Sequence, residues 1–244
     1  MNEKDIRKAL ENNRIQLTPE LPEKLYRYLT LLKEWNSRID LTAITDDEET
    51  VDKHFIDSLT ILNTGMIPVP GTEKTTSLID VGTGAGFPGM VLALACPEMT
   101  VTLLDAQQKR LGFLHAVAEA TQTSNVTLIH ARAEDGGRKP ELREQFDFAA
   151  ARALAPLNTL LEYLLPFVRI SGYALCWKGP AVRGELDAGN KAARILGGQT
   201  EMPVRCPVNG RDWDHMILPV RKIRPTAKNY PRKAGMPKNN PLGV

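Results

Sequence analysis

The sequence is poor in the residues that most often announce chemistry on their own. Its 244 residues hold three cysteines, Cys96, Cys176 and Cys206, far apart and without a Cys-x-x-Cys pair. That spacing excludes a disulfide scaffold and a zinc ribbon and points to reduced thiols. The four histidines, His54, His115, His130 and His215, are dispersed, and no His-Glu-x-x-His stretch occurs, so no metal site is expected. No apolar run approaches the roughly 18 residues of a membrane span. The opening MNEKDIRKALENN lacks the apolar centre of a signal peptide. These absences lead to the expectation of a soluble, cytoplasmic chain with no membrane partner. The last absence is of one charge sign. From residue 220 to 244 there are seven basic residues and no acid, whereas residues 1–219 carry 24 basic residues against 29 acidic ones. The formal net charge of +2 therefore sums a body of −5 and a tail of +7.

What is present fits a folded chain. With 42% hydrophobic and 25% charged residues, disordered and collagen-like classes are excluded. The length suits one large domain with an extension. The first part reads as helices. Ile6, Ala9 and Leu10 share a stripe, and Leu21, Leu25, Tyr28, Leu29, Leu32 and Trp35 recur at spacings of three and four behind Thr18-Pro19, a cap and first-turn proline. A third helix is expected over 48–62, burying Val51, Phe55, Leu59 and Leu62, with the acids at 46–49 at its positive end. Residues 67–76 read as a connection.

From Ser77 the rhythm changes to short β-branched runs at 77–81, 100–105, 126–130, 146–150 and 173–177. Helical stretches near 89–96, 109–121, 156–165 and 183–196 alternate with them. This alternation implies a doubly wound α/β fold, its mostly parallel sheet covered on both faces. Asn209-Gly210 signals a hairpin, with 213–220 as the returning strand and Pro207 weakening the incoming one. The expected organisation is a helical extension at 1–70, a catalytic domain at 71–220 and a basic tail at 221–244.

The strongest motif follows the first strand. Residues 78–89 read Leu-Ile-Asp-Val-Gly-Thr-Gly-Ala-Gly-Phe-Pro-Gly, placing Asp80 before glycines 82, 84 and 86. Such a turn lets backbone approach a ligand closely. The dinucleotide pattern needs a third glycine where Phe87 stands. An acid ahead of the turn suits a cofactor with a cationic amino-acid moiety, S-adenosylmethionine, rather than a pyrophosphate. No lysine follows in P-loop spacing. Asp105, at the end of the second strand, suits both ribose hydroxyls of either cofactor class. Ala133 and Glu134, after the third strand, offer a backbone group and a carboxylate for an adenine edge. Alone, Asp105 reads as a solvated acid and Glu134 as a helix cap; in register with the glycines, the ligand reading is favoured.

Here the chain resembles a family, the bacterial ribosomal RNA small subunit methyltransferase G family, also called glucose-inhibited division protein B. The carrying segments are Trp35–Thr42, His54–Leu59, Asp80–Gly89, Leu104-Asp105, Lys109-Arg110 with Phe113-Leu114, Arg152-Ala153, Lys178-Gly179 and Tyr230–Pro237. They span nearly the whole chain. The resemblance implies a seven-stranded Rossmann-like sheet and transfer of a methyl group from S-adenosylmethionine to N7 of a guanine in the 530 loop of 16S rRNA. It implies cofactor contacts at Gly82, Phe87, Ala133, Glu134 and Arg152. The family's Asn-Leu-Thr and Ser-Arg-Ala stand here as Asp40-Leu41-Thr42 and Ala151-Arg152-Ala153.

The residues after the fourth strand bear on the acceptor atom independently. Ala151–Pro156 lacks the Asn/Asp-Pro-Pro-Tyr/Phe pattern that orients an exocyclic amine, and no cysteine lies there to activate a pyrimidine. Guanine N7 carries an exposed lone pair and needs placement rather than a base or nucleophile. Arg152 and Lys178, at strand ends, are the candidate catalytic residues, reaching carboxylate, guanine O6 or phosphate. Spacing alone leaves Arg152 between that role and a surface ion pair, where the resemblance tips it, and leaves Lys178 between its role and a plain strand-end lysine before a turn. Phe87 either packs on the cofactor or begins the helix core. His54 and Asp57, three apart, are expected to bond each other and hold the extension on the sheet. Asn36 is expected to pin a loop. The tail, with Tyr230, is expected to be a flexible arm for RNA phosphates and an unstacked base.

The reading is an rRNA guanine-N7 methyltransferase binding S-adenosylmethionine, monomeric and metal-free, with 16S rRNA or an assembling small subunit as partner. The alternatives are an NAD-dependent oxidoreductase and a non-catalytic RNA-binding factor that keeps the cofactor fold.

Overall fold

Helix α1, Glu3–Asn12, starts where Asn2 and Asp5 cap each other's backbone reciprocally, which satisfies two orphan N–H groups. A computed structural model of the protein describes residues 1–15, 18–68 and 75–244. Helix α2, Leu21–Asn36, begins two residues later than Thr18-Pro19 suggested. Pro22, not Pro19, occupies its first turn, where a missing N–H costs nothing. The third predicted helix is present but composite. Asp46 caps α3, Asp47–Thr50, through the Glu49 N–H. A π-helical turn, Val51–Ile56, follows, then α4, Asp57–Leu59, and a 3₁₀ turn, Thr60–Thr64. Most of the predicted connection, residues 69–74, lies outside the described residues.

The sheet then builds in the expected alternation: β1 Ser77–Val81, α5 Gly89–Ala95, β2 Thr100–Asp105, α6 Gln108–Ala120, β3 Val126–His130, α7 Ala133–Gly136, β4 Phe146–Arg152, α8 Leu157–Leu164 and β5 Val168–Lys178. After a 3₁₀ turn, Pro180–Glu185, come α9 Leu186–Leu196, β6 Gly198–Thr200, β7 Val204–Arg205, β8 Met216–Lys222 and α10 Met236–Asn239. Strand order is β3-β2-β1-β4-β5-β8-β6, with β1 to β5 parallel and β8 antiparallel to β5. β6 and β7 pair with successive stretches of β8 and form one interrupted edge, so eight strands fill seven positions. Alternation along β1 sends Leu78 to one core and Ile79 and Val81 to the other, as burial on both faces requires.

The hairpin differs from the expectation. The returning strand is Met216–Lys222, and ten residues, 206–215, separate it from β7. Asn209-Gly210 does not make a tight turn because its loop is tied to the N-terminal helices. The Asn209 N–H donates to Asn13 Oδ1 (2.7 Å), and Arg211 pairs with Asp52 (2.6 Å) and Glu48 (2.9 Å). The helical extension has no core of its own: Ile6, Leu25, Tyr28 and Phe55 share one cluster with Met90, Phe113 and Leu114 under the sheet.

The tail is not a free arm, and the boundary expected at 220 falls inside β8. Lys222 is fully buried and donates to the Leu165 carbonyl and Thr226 Oγ1 (2.6 Å each), and burial pushes its amine down to about 8. Arg232 makes a forked pair with the fully buried Glu162, its Nη2 2.7 Å from Oε2. Arg143 donates to the Thr226 and Tyr230 carbonyls, and Asn158 to that of Leu242. Counting cations could not reveal this, because the acids that capture them lie far away in sequence. Five of the seven, Arg221, Arg224, Lys228, Lys233 and Lys238, remain exposed.

Removing Arg232 strands a buried carboxylate. Arg232→Ala is expected to lower unfolding free energy by about 3–5 kcal/mol, whereas Arg232→Met with Glu162→Leu recovers most of that loss. Urea denaturation of the three chains checks it; equal stability of the single variant and wild type would contradict the clamp.

Candidate functional site

β1 delivers the glycine turn to the carboxyl ends of the parallel strands, where such sheets bind ligands. The Gly82 and Thr83 N–H groups bond to the Leu104 carbonyl, drawing the turn over β2. Asp80 is fully buried. Its Oδ2 accepts from Thr83 Oγ1 (2.7 Å) and the Gly89 N–H (2.9 Å), while Oδ1 has no partner. Burial pushes the Asp80 carboxyl up to about 6. Asp105 accepts the Gly84 N–H (2.9 Å) and the Gln107 N–H (2.8 Å).

The glycines differ in what they face. A Cβ on Gly84, at φ +59°, would meet only the Gly82 carbonyl, 3.9 Å away, so open space lies above it. A Cβ on Gly86, at φ +96°, would instead strike Leu114 and Met90 at 2.7 and 2.8 Å, beside the Tyr28 hydroxyl. That hydroxyl donates to the Ala85 carbonyl. Gly86 thus seats α2 on the turn and is filled in by packing rather than left open.

A cavity of about 310 Å³ opens beside the turn. It gathers Gly82, Asp105, Ala133 and Glu134, all nominated from sequence, with Arg110, Leu154, Tyr163, Gly235 and Lys238, which were not. Glu134 Oε1 accepts the Gly235 N–H (2.9 Å), so the tail closes one wall. The orphan Asp80 oxygen, the open side of Gly84 and the paired acids fit a nucleoside carrying a cationic end.

Arg152 and Lys178 lie in a second cavity, of about 390 Å³, with Lys53, His54, Asp57, Trp177 and His215. The loop after β4 separates the two: Ala153 lines one and Leu154 the other, and Leu154 packs over Gly82. Ala153 sits at φ +54°, a conformation that costs a side-chain-bearing residue and recurs at functional loops. The π turn shapes the floor. The Asp57 N–H bonds back to the Asp52 carbonyl, five residues away, which frees the Lys53 carbonyl to accept from Arg152 Nη1 (2.5 Å). Arg152 also pairs with Asp57 Oδ2 (3.0 Å), donates to His54 Nδ1 (2.8 Å) and lies 5.2 Å from the Phe87 ring centre. Asp57 Oδ1 receives His215 Nδ1 (2.8 Å). Arg152 thus fixes the His54 proton on Nε2, facing Thr42 Oγ1 (2.9 Å). Burial, then the Arg152 charge, pushes the His54 imidazole down to about 3.

His54 and Asp57 therefore converge on Arg152 rather than on each other. Phe87 stacks on His54 (4.4 Å, 13°) and lies 8% exposed, within the cluster that the extension shares with the sheet's helices. Asn36 pins the loop as expected, accepting from Leu41 and Thr42. Lys178, foreseen to reach a phosphate or the base, instead pairs with Glu185 (2.7 Å) and donates to the Ala155 carbonyl (2.9 Å). Lys53 pairs with Glu49 (2.6 Å), so each lysine and arginine of this cavity has a carboxylate partner. Burial pushes the Cys96 and Cys176 thiols up to about 12 and Cys206 to about 11, which leaves no ready thiolate. Among the described residues no group of three His, Cys, Asp or Glu is placed to hold a metal ion, and no helix is long and apolar enough to cross a membrane.

The family model described as rRNA small subunit methyltransferase G matches residues 21–212. The chain belongs to that family. Members named ribosomal RNA small subunit methyltransferase G from Alkaliphilus oremlandii and Clostridium beijerinckii are 41% and 43% identical. The matches cover 99% and 96% of this chain and 100% and 96% of theirs. Among solved structures, a mutant 16S rRNA (adenine(1408)-N(1))-methyltransferase from Catenulisporales acidiphilia aligns with a TM-score of 0.51 at 16% identity, over 62% of this chain and 87% of that one. M. jannaschii TYW2 in complex with AdoMet gives 0.52 at 12%, over 77% and 80%. At these identities the likeness carries the fold alone. Membership of the methyltransferase G family sets aside the dinucleotide reading of the glycine turn.

Two outcomes follow for this methyltransferase. Gly86→Ala is expected to destabilise by about 1–3 kcal/mol through overpacking, measured by urea denaturation, with partial relief from Tyr28→Phe; an unchanged midpoint would contradict the packing role. The second concerns pH. His54 has a folded value below its unfolded value of about 6.5, so its contribution is complete above pH 6.5 and is lost as pH falls toward 3. Asp80, raised to about 6, acts oppositely between about 4 and 6 in both chains. The stability gap between wild type and His54→Gln should therefore shrink below pH 6.5 by about 1.4 kcal/mol per pH unit. A gap that stays constant from pH 7 to 5 would refute it.

Proposed function

We propose that the chain methylates N7 of a guanine in the 530 loop of 16S rRNA, using S-adenosylmethionine, by direct in-line transfer. One observation carries the reading: beside the glycine turn lies a cavity in which Arg152, Lys178 and Lys53 are each matched by a carboxylate. Such a site does not favour a phosphate; it suits a neutral base that becomes cationic. When bound, S-adenosylmethionine would supply a sulfonium methyl group for the N7 lone pair, the charge passing from the sulfur, left as a thioether, to the methylated purine. No proton moves, in keeping with a His54 held neutral and buried thiols.

The chain's own residues have separable parts. Asp105 is proposed to accept from the ribose hydroxyls, Asp80 Oδ1 to face the cationic end, and the backbone at Gly82, Gly84 and Ala133, with Glu134, to bound the nucleoside. Arg152 is proposed to position, through Asp57, His54 and Phe87, the border between cofactor and base. Placement of this kind supplies most of the acceleration for a nucleophile that needs no activation. The exposed cations of the tail are proposed to meet RNA phosphates, as part of a folded wall and not as a free arm.

Incubating the protein with labelled S-adenosylmethionine and either small subunits or naked 16S rRNA, then cleaving at N7-methylguanine, tests the reading. The expected product carries one methyl at a 530-loop guanine. Label on an exocyclic amine or a pyrimidine would overturn it, and absence of transfer to either RNA would favour the non-catalytic factor. Asp105→Ala is expected to weaken S-adenosylmethionine binding at least tenfold, about 1.4 kcal/mol, by calorimetry; unchanged affinity would remove Asp105 from the site.

A further inference from the structure

His215 closes the far side of the Arg152 cavity, just before β8. Two contacts orient its ring. Nδ1 lies 2.8 Å from Asp57 Oδ1, and the ring stacks on Trp213 with centres 5.5 Å apart. Trp213 is itself held between Lys53 and Arg211, whose charges lie 5.2 and 5.5 Å from its ring centre, and Arg211 is anchored by Asp52 and Glu48. The Asp57 carboxylate accepts and does not donate, so its partner nitrogen carries the proton. In the neutral imidazole that leaves Nε2 as an acceptor. Among the described residues, no group bonds to Nε2. The cavity's cations are all donors and all committed, and Nε2 offers it an uncommitted side-chain acceptor.

The sheet sets the direction in which a base would be read. From the glycine turn at the end of β1, the order outward is β4, β5, β8. Arg152 on β4 stands opposite Trp177 on β5, and Lys178 opposite Met216, the neighbour of His215. β4 and β8 are two strand spacings apart, about 10 Å. A purine with N7 turned toward Gly82 and Leu154 therefore presents the far side of its six-membered ring, C2 with the flanking N1, toward β8. On guanine that edge carries an N1–H donor; on adenine N1 is an acceptor that would face the Nε2 lone pair.

We infer that this cavity takes one unstacked purine of the RNA and that His215 Nε2 accepts from its N1–H, which selects guanine over adenine. The inference rests on the methyl-transfer reading above. A site built around a hydrogen-bonding group discriminates through the pair left unmade with the wrong ligand. His215 would thus be the specificity-determining residue, with Asp57 and Trp213 as its positioning residues.

The test uses full-length 16S rRNA assembled by ligation with guanine, inosine or 2-aminopurine at the mapped position. Inosine keeps N1–H and loses the amine; 2-aminopurine keeps the amine and loses N1–H. Binding is measured by filter retention with S-adenosylhomocysteine present, and transfer separately with labelled cofactor. Wild type should bind guanine and inosine RNAs within about threefold of each other and at least tenfold more tightly than 2-aminopurine RNA. His215→Phe, which keeps the stack and loses the acceptor, should level the three, while His215→Gln, which can donate to Asp57 and accept from N1–H, should restore the order. S-adenosylhomocysteine affinity should be the same in all three proteins. Equal binding of all three RNAs by wild type, or an unchanged preference in His215→Phe, would overturn the inference. A preserved binding order with no methyl transferred would instead count against the transfer reading while supporting the base contact.

Discussion

The Arg152 guanidinium joins parts of the chain that lie about a hundred residues apart in sequence. It bonds the Lys53 carbonyl, the Asp57 carboxylate and His54 Nδ1, and lies over Phe87 of the glycine turn. Remove that charge and a buried carboxylate is left without its cation, a carbonyl without its donor and a histidine without its fixed tautomer. The π turn is the matching half of the contact. An ordinary α-helical turn would spend the Lys53 carbonyl on the Asp57 N–H, and the shift to a five-residue bond is what makes it available. The helical extension is therefore part of the site, supplying Lys53, His54 and Asp57 as well as packing.

Charge is managed by pairing throughout. The acidic body does not repel the basic tail but captures it, through Glu162 with Arg232 and Glu144 with Lys222. Burying such pairs adds little stability by itself; its effect is to specify one arrangement, since a mispaired partner would leave an ion in low dielectric. The tail's return places Gly235 and Lys238 on the wall of the glycine-turn cavity. The same pairing in the Arg152 cavity removes the free cations that a phosphate would seek. A reaction that moves positive charge onto the acceptor is compatible with that balance, and charged residues for RNA remain on the outside.

Much of the fold was legible. β1, β2 and β3 begin and end where their β-branched runs do; for β1 and β2, covered on both faces, burial leaves almost no freedom in composition. The α2 stripe was legible for a similar reason, since one face of a helix packed on a core must repeat at three and four. β6 was missed, and β7 was foreseen only as an incoming hairpin strand without bounds. Gly-Gln-Thr and Val-Arg are too short to show a period, and they are strands only because β8 offers an edge. Asn209-Gly210 misled because a turn signal states what a segment can do in isolation, and here Asn13, Asp52 and Glu48 pull the loop open.

Sequence alone determined the layer order, the glycine turn and the gathering of Asp105 and Glu134 beside it. These depend on local spacing, and a strand–turn–helix unit carries its spacing wherever it folds. Tertiary structure decided the rest. It turned Gly86 toward Tyr28, gave Lys178 to Glu185, brought His54, Asp57 and His215 around Arg152, and folded the tail into a wall. Each of those outcomes depends on which charge or carbonyl meets which partner across the sheet. A side chain's type does not reveal whether its charge will face solvent, ligand or another residue, because burial and pairing are properties of the neighbour as much as of the residue itself.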